Sequence, residues 1–144
     1  MLKKIGSFAA VLLASFGLAG CGQDSPNPAR PGSIPENLMN RSLSAAEITH
    51  LAVQSKWCTS SAVGYSETDV FTEDSSYNAV LTNVQAGTST EIVGTWLAKD
   101  NQIQVKRAGQ TDWTTYDLKV IEQSPGVLKI LLIFQGQQLI YKNC

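Results

Sequence analysis

Three cysteines, a single histidine and a short run of carboxylates are the side chains of this 144-residue sequence with chemistry to offer. Cys21, Cys58 and Cys144 lie far apart in sequence, and no CxxC spacing sets up a redox couple with a depressed thiol pKa. Three thiols cannot all pair with one another, so one is left over in any oxidising compartment. His50 alone makes no metal site, because such a site needs several ligands at fixed spacing. Nor does it make a Ser-His-Asp arrangement, in which a third group must orient the base; Gly64-Tyr65-Ser66 is not a nucleophile elbow. Carboxylates cluster only at Glu67, Asp69, Glu73 and Asp74, which the sequence places around a hairpin. A solvated acidic turn accounts for them, against a Ca²⁺ site that would need about six to eight oxygens at set positions. No cofactor or metal is expected, no residue is assigned a catalytic role, and an enzyme is the least supported class.

What stands before Cys21 sets that cysteine apart. Lys3 and Lys4 open a positive segment, residues 5–18 form an apolar run of 14, and Leu18, Ala19 and Gly20 supply small residues at a cleavage point, the grammar of a secretory signal. A membrane-spanning helix needs about 20 apolar residues, so the run is too short for a permanent anchor. Leu18-Ala19-Gly20-Cys21 resembles the lipobox of bacterial lipoproteins. That resemblance implies a signal peptide over 1–20 and Cys21 as the mature N-terminus. It further implies a diacylglyceryl thioether at Cys21, often with an amide-linked third chain such as palmitate, and residence in the bacterial cell envelope. One acyl chain holds weakly at roughly 0.8 kcal/mol per buried CH₂, and two or more hold stably. Gly22, where inner-membrane lipoproteins carry aspartate, favours the outer membrane, on its periplasmic face or at the cell surface. Lipidation of Cys21 would leave Cys58 and Cys144 as a pair.

Charge narrows the partners. Lys3 and Lys4 leave with the signal, so the mature chain carries nine basic residues against twelve acidic ones. Nucleic-acid binding needs a basic patch and is not expected. Basic residues are scattered singly apart from Lys106 and Arg107, so membrane attachment rests on the acyl chains at Cys21. Pro26, Pro28, Pro31 and Pro35 mark residues 21–41 as a linker, an extended spacer of about 3 Å per residue that reaches up to ~50 Å. Pro28 and Pro31 have the PxxP spacing, but the composition by itself reads as a spacer.

The domain then occupies 42–144. Ser44 and Glu47 have the spacing of a capping box, with Leu43 and Ile48 as its hydrophobic staple, which predicts a helix over 45–55. Ile48, Leu51, Ala52 and Ser55 form its narrow apolar stripe, and His50 lies off that stripe, toward solvent. From Trp57 onward short alternating runs are broken by turn residues. Strands are expected at 57–65, 69–72, 76–84, 91–98, 102–107, 113–122, 127–134 and 138–142. Ile92, Gly94, Trp96 and Ala98 share one face, as do Ile103 and Val105, then Tyr116, Leu118 and Val120, then Leu128, Ile130, Leu132 and Phe134. The strand at 127–134 is apolar on both faces except at Lys129, so a cover is expected outside it, supplied by the helix. Short connections make a meander, and closing it removes exposed edges. The expectation is a mainly β protein, an antiparallel up-and-down barrel of roughly eight strands preceded by one short helix. Cys58 opens the first strand and Cys144 ends the last, so closure makes them neighbours and permits a disulfide across the seam.

Trp57 on a first strand, Phe71-x-x-Asp74 in a hairpin, Tyr77 on the return strand and Gly94-Thr95-Trp96 further on resemble the small lipocalin-like domains of bacterial lipoproteins. The similarity runs from Trp57 to about Tyr141, with Gly-x-Trp on the fourth strand where true lipocalins place it on the first. Fold does not fix function, and two non-enzymatic readings follow. In one, the barrel holds a small apolar or amphipathic molecule, lined by Trp96, Trp113 and Tyr116. In the other, a filled barrel offers its surface to an envelope protein, as an assembly or inhibitor lipoprotein. Trp57, Phe71, Tyr77, Trp96, Trp113 and Tyr116 also serve as ordinary core packing. Interior volume separates the two readings.

Overall fold

The computed structural model describes residues 37–61 and 63–144; the signal segment, Cys21 and the linker up to residue 36 lie outside the described residues. One helix, α1 (Ala45–Val53), precedes eight strands: β1 (Trp57–Ser60), β2 (Tyr65–Phe71), β3 (Ser76–Asn83), β4 (Thr88–Lys99), β5 (Gln102–Arg107), β6 (Thr114–Ser124), β7 (Val127–Phe134) and β8 (Gln137–Asn143). Each strand pairs antiparallel with the next, and β1 pairs with β8 to close the barrel.

Alternation of side chains explains the closure. Ile103 and Val105, Leu118 and Val120, and Leu128, Ile130 and Leu132 all point inward and are buried, each contributing about 1.5–3 kcal/mol through the water it sheds. Gly94 faces Arg107 across the β4–β5 ladder. A Cβ there would stand 2.3 Å from the Lys106 carbonyl oxygen, so glycine is what lets β5 cross β4 this closely. A β-bulge between Val120 and Glu122 turns Ile121 outward, and Met39 forms a parallel bridge to Val120.

The turns at 72–75, 100–101 and 125–126 gather at one end with α1, and those at 61–64, 84–87, 108–113 and 135–136 form the opposite mouth. At the helix end the capping box forms: Glu47 N–H donates to Ser44 Oγ at 3.3 Å, and Ser44 N–H donates to Glu47 Oε2 at 2.9 Å. Arg41 pairs with Glu47, and that guanidinium, with the Ser44 N–H, holds the Glu47 carboxyl down at about 2. Leu43 and Ile48, the staple, are both fully buried.

Three departures from the sequence reading have clear causes. The helix stops at Val53, with Gln54 as its C-cap, because the Trp57 indole N–H donates to the Ala52 carbonyl at 3.1 Å and β1 begins immediately after. The helix does not cover β7; it packs on β4, β2 and β5. Backbone and side-chain bonds from Asn101 clasp Leu43, and Asp100 Oδ1 accepts from Ala45 N–H, which draws the helix over the β4–β5 hairpin as an end plug. Finally, residues 57–65 are not one strand. Gly64, at φ +84°, and the Ser61 side chain turn the chain, so β1 is short and β2 starts at Tyr65.

Candidate functional site

The earlier start of β2 changes what the acidic cluster is. Glu73 and Asp74 do lie in an exposed turn, where Asp74 accepts from Thr72 Oγ1 and Ser76 N–H, and those donors lower its carboxyl to about 2. Glu67 and Asp69 instead sit two residues apart on the inner face of β2. Asp69 is 4% exposed, the one buried charged residue among those described. The solvated-turn reading therefore holds for half of the cluster and fails for the other half.

Around this pair the barrel assembles a polar floor beneath its mouth. Tyr77 OH donates to Asp69 Oδ1 at 3.3 Å, and Arg107 Nη2 lies 3.7 Å from Glu67 Oε1 across the interior. Tyr116 and Tyr141 complete the ring. Burial pushes the Asp69 carboxyl far above the usual carboxylate range; the neighbouring charge of Glu67 and a hydrogen bond to it push the same way, while Tyr77 pulls back. The protonated form of Asp69 is therefore favoured in this low-dielectric site. Burial also raises the phenols of Tyr77, Tyr116 and Tyr141, which favours their protonated form. Among the described residues no buried side-chain nitrogen or oxygen lacks a partner.

A perturbed buried carboxyl such as Asp69 is a common mark of acid-base chemistry, but chemistry also needs space for a substrate. The void beside Glu67, Asp69 and Arg107 measures about 20 Å³. Such a space is on the scale of one water. Among the described residues no group of three or more histidine, cysteine, aspartate or glutamate side chains is placed to hold a metal.

The three aromatic residues read as ligand lining are not brought together on one cavity. Trp96 is buried, edge-on to Phe71 at a centroid distance of 5.2 Å, and its indole N–H donates to the Thr72 carbonyl. Trp113 is 40% exposed in the β5–β6 turn. Only Tyr116 lines the interior void, and its ring packs on Phe134 at 5.5 Å. His50 is half-buried on α1 and hydrogen-bonds to Gln54. The Cys58–Cys144 disulfide is present, with a Cα–Cα distance of 5.9 Å across the β1–β8 seam.

Glu67, Asp69 and Arg107 were missed as a group because strongly polar residues are assigned to the surface by default. The available signal was parity: Glu67 and Asp69 share their face of β2 with Phe71, and Arg107 shares its face of β5 with Ile103 and Val105. No protein-family model, curated protein or solved structure matches this chain.

Proposed function

We propose that this chain is a non-enzymatic lipoprotein of the bacterial envelope, tethered through Cys21, whose barrel acts on a protein partner through its surface. The observation that carries the choice of partner over enclosed ligand is that the void enclosed within the barrel measures about 20 Å³, since sites for small molecules occupy about 300–1,000 Å³, while the spaces of that size are grooves open to solvent. The tether is supported by Lys3, Lys4, the apolar run at 5–18 and Leu18-Ala19-Gly20-Cys21. Gly22 favours the outer membrane. The Cys58–Cys144 disulfide suits an oxidising compartment. An assembly role and an inhibitory role both need only an exposed surface, and both fit a rigid, filled barrel.

Metabolic labelling with palmitate, followed by fractionation and crosslinked pull-down, tests this reading. The wild-type chain should take up label, sediment with membranes and bring down a protein. Cys21→Ser should lose label and appear in the soluble fraction. Membrane retention of unlabelled Cys21→Ser would contradict the tether, and recovery of a stoichiometric small molecule in place of a protein would contradict the mode of action.

A further inference from the structure

The closing ladder of the barrel parts partway along. β1 and β8 pair only as Trp57↔Asn143 and Cys58↔Lys142. The same register continued would set Thr59 against Tyr141, Ser60 against Ile140 and Ser61 against Leu139, and none of these pairs forms. Backbone groups alternate sides along a strand, and two bonds fix the phase here. Cys144 N–H donates to the Lys56 carbonyl at 3.0 Å, and Ser61 N–H donates to Tyr65 O, on the other side of β1, at 2.8 Å. Gln138 and Ile140 therefore aim both N–H and C=O into the gap from β8, and Ser60 does so from β1.

Behind the gap lies a groove of about 400 Å³ lined by Tyr65, Glu67, Leu81, Leu139 and Tyr141. Through Ser60 and Ile140 it continues into a second groove of about 470 Å³ that reaches Lys129 and Lys142. Leu139 and Ile140 are 37% and 53% exposed. Glu67 on the floor is engaged by Arg107, and Lys129 by Glu122 at 2.5 Å. Lys142 has no salt bridge among the described residues, so the outer lip keeps an uncompensated positive charge.

Given a protein partner as the target, we propose that this parted seam accepts an extended strand of that partner by β-augmentation. One apolar side chain of the strand would point inward beside Leu81 and Leu139, and an acidic side chain would lie outward beside Lys142. An apolar small molecule would leave the edge groups of Ser60, Gln138 and Ile140 to water. A polypeptide backbone matches them one for one. The lysine bears on which strand is admitted, because lysines at sheet edges also deter indiscriminate pairing.

The test uses the full chain in detergent, titrated by NMR with a short acetylated peptide that alternates valine and threonine and ends in aspartate. Two control peptides carry lysine for the aspartate or proline at the centre. Saturable shifts at Ser60, Gln138 and Ile140 are expected, weaker by roughly two- to fivefold for the lysine peptide and absent for the proline peptide. Ile140→Pro should abolish binding while Ile140→Ala retains it; if Ile140→Pro does not fold, the proline peptide asks the same question of the wild type. Absence of shifts with every peptide, or equal binding of the proline peptide, overturns the proposal. So does a concentration-dependent dimer that protects the same amides, because the occupant is then a second copy. None of these outcomes touches the tether, which labelling and fractionation test separately.

Discussion

Asp69 occupies a place where a carboxylate is costly to ionise, and its proton makes folding sensitive to pH. Its folded pKa lies above the unfolded value, so the stability it contributes is full below the ordinary carboxylate range and is lost as pH rises through the folded value. Glu47 and Asp74 run the opposite way: both are held down at about 2, so their contributions are present above the ordinary range and lost in acid. Thermal melts should therefore show stability falling between about pH 5 and pH 9, and Asp69→Asn should flatten that slope. At the alkaline end the variant should melt about 4 °C higher or more, the shift that ~1 kcal/mol produces in a domain of this size. An unchanged slope would remove Asp69 as its source. Gly94→Ala tests steric constraint at the same scale. Its Cβ meets the Lys106 carbonyl at 2.3 Å, and overpacking of this kind costs about 1–3 kcal/mol, read as a lower denaturation midpoint. The inward-facing aliphatic residues were legible from alternation. Glu67 and Asp69 were not, since their cost is compensated by Arg107 and Tyr77, which come from other strands.

Among the elements, α1 works as a plug held at both ends. Ser44 and Glu47 cap its start, Asn101 and Asp100 clasp that start to the β4–β5 hairpin, and Trp57 takes the Ala52 carbonyl at its end. The helix and its cap were readable from four residues, because capping is local chemistry. Its docking on β4 and not β7 was unreadable, because the clasp depends on Asn101, at φ +59°, 58 positions beyond Leu43. Ser44→Ala should cost about 1 kcal/mol, and Leu51→Ala about 2–5 kcal/mol, as measured by urea unfolding. β7 was expected to need a cover, yet Leu131 and Ile133 on its outer face are half-buried without one from α1. At the seam, Cys58 and Cys144 enclose a long loop, with a sequence separation of 86. Replacing both by serine should lower stability by about 2–5 kcal/mol, and under non-reducing denaturing conditions the wild type should show neither thiol as titratable.

As a whole the molecule has two unlike ends. The described chain enters at Asn37 beside the β6–β7 turn, where Leu38 N–H donates to Gln123 Oε1, so the proposed tether joins the plugged end. The mouth, with Arg107, Glu67 and the parted seam, lies at the other end, where a partner in the envelope would meet it. The eight-strand closure followed from turn spacing and alternation alone, because a meander of short connections has few other ways to hide its edges. The filled interior did not follow from that pattern. Whether eight strands enclose a cavity depends on how Trp96, Phe71 and Tyr77 pack against one another, which spacing does not encode. Native mass spectrometry of the full chain, extracted from membranes in mild detergent, tests the central claim of a lipid-tethered barrel with nothing inside. The account predicts a mature chain beginning at Cys21, heavier by its covalent acyl groups and free of any retained small molecule. A stoichiometric non-covalent ligand that leaves only when the barrel unfolds would contradict it.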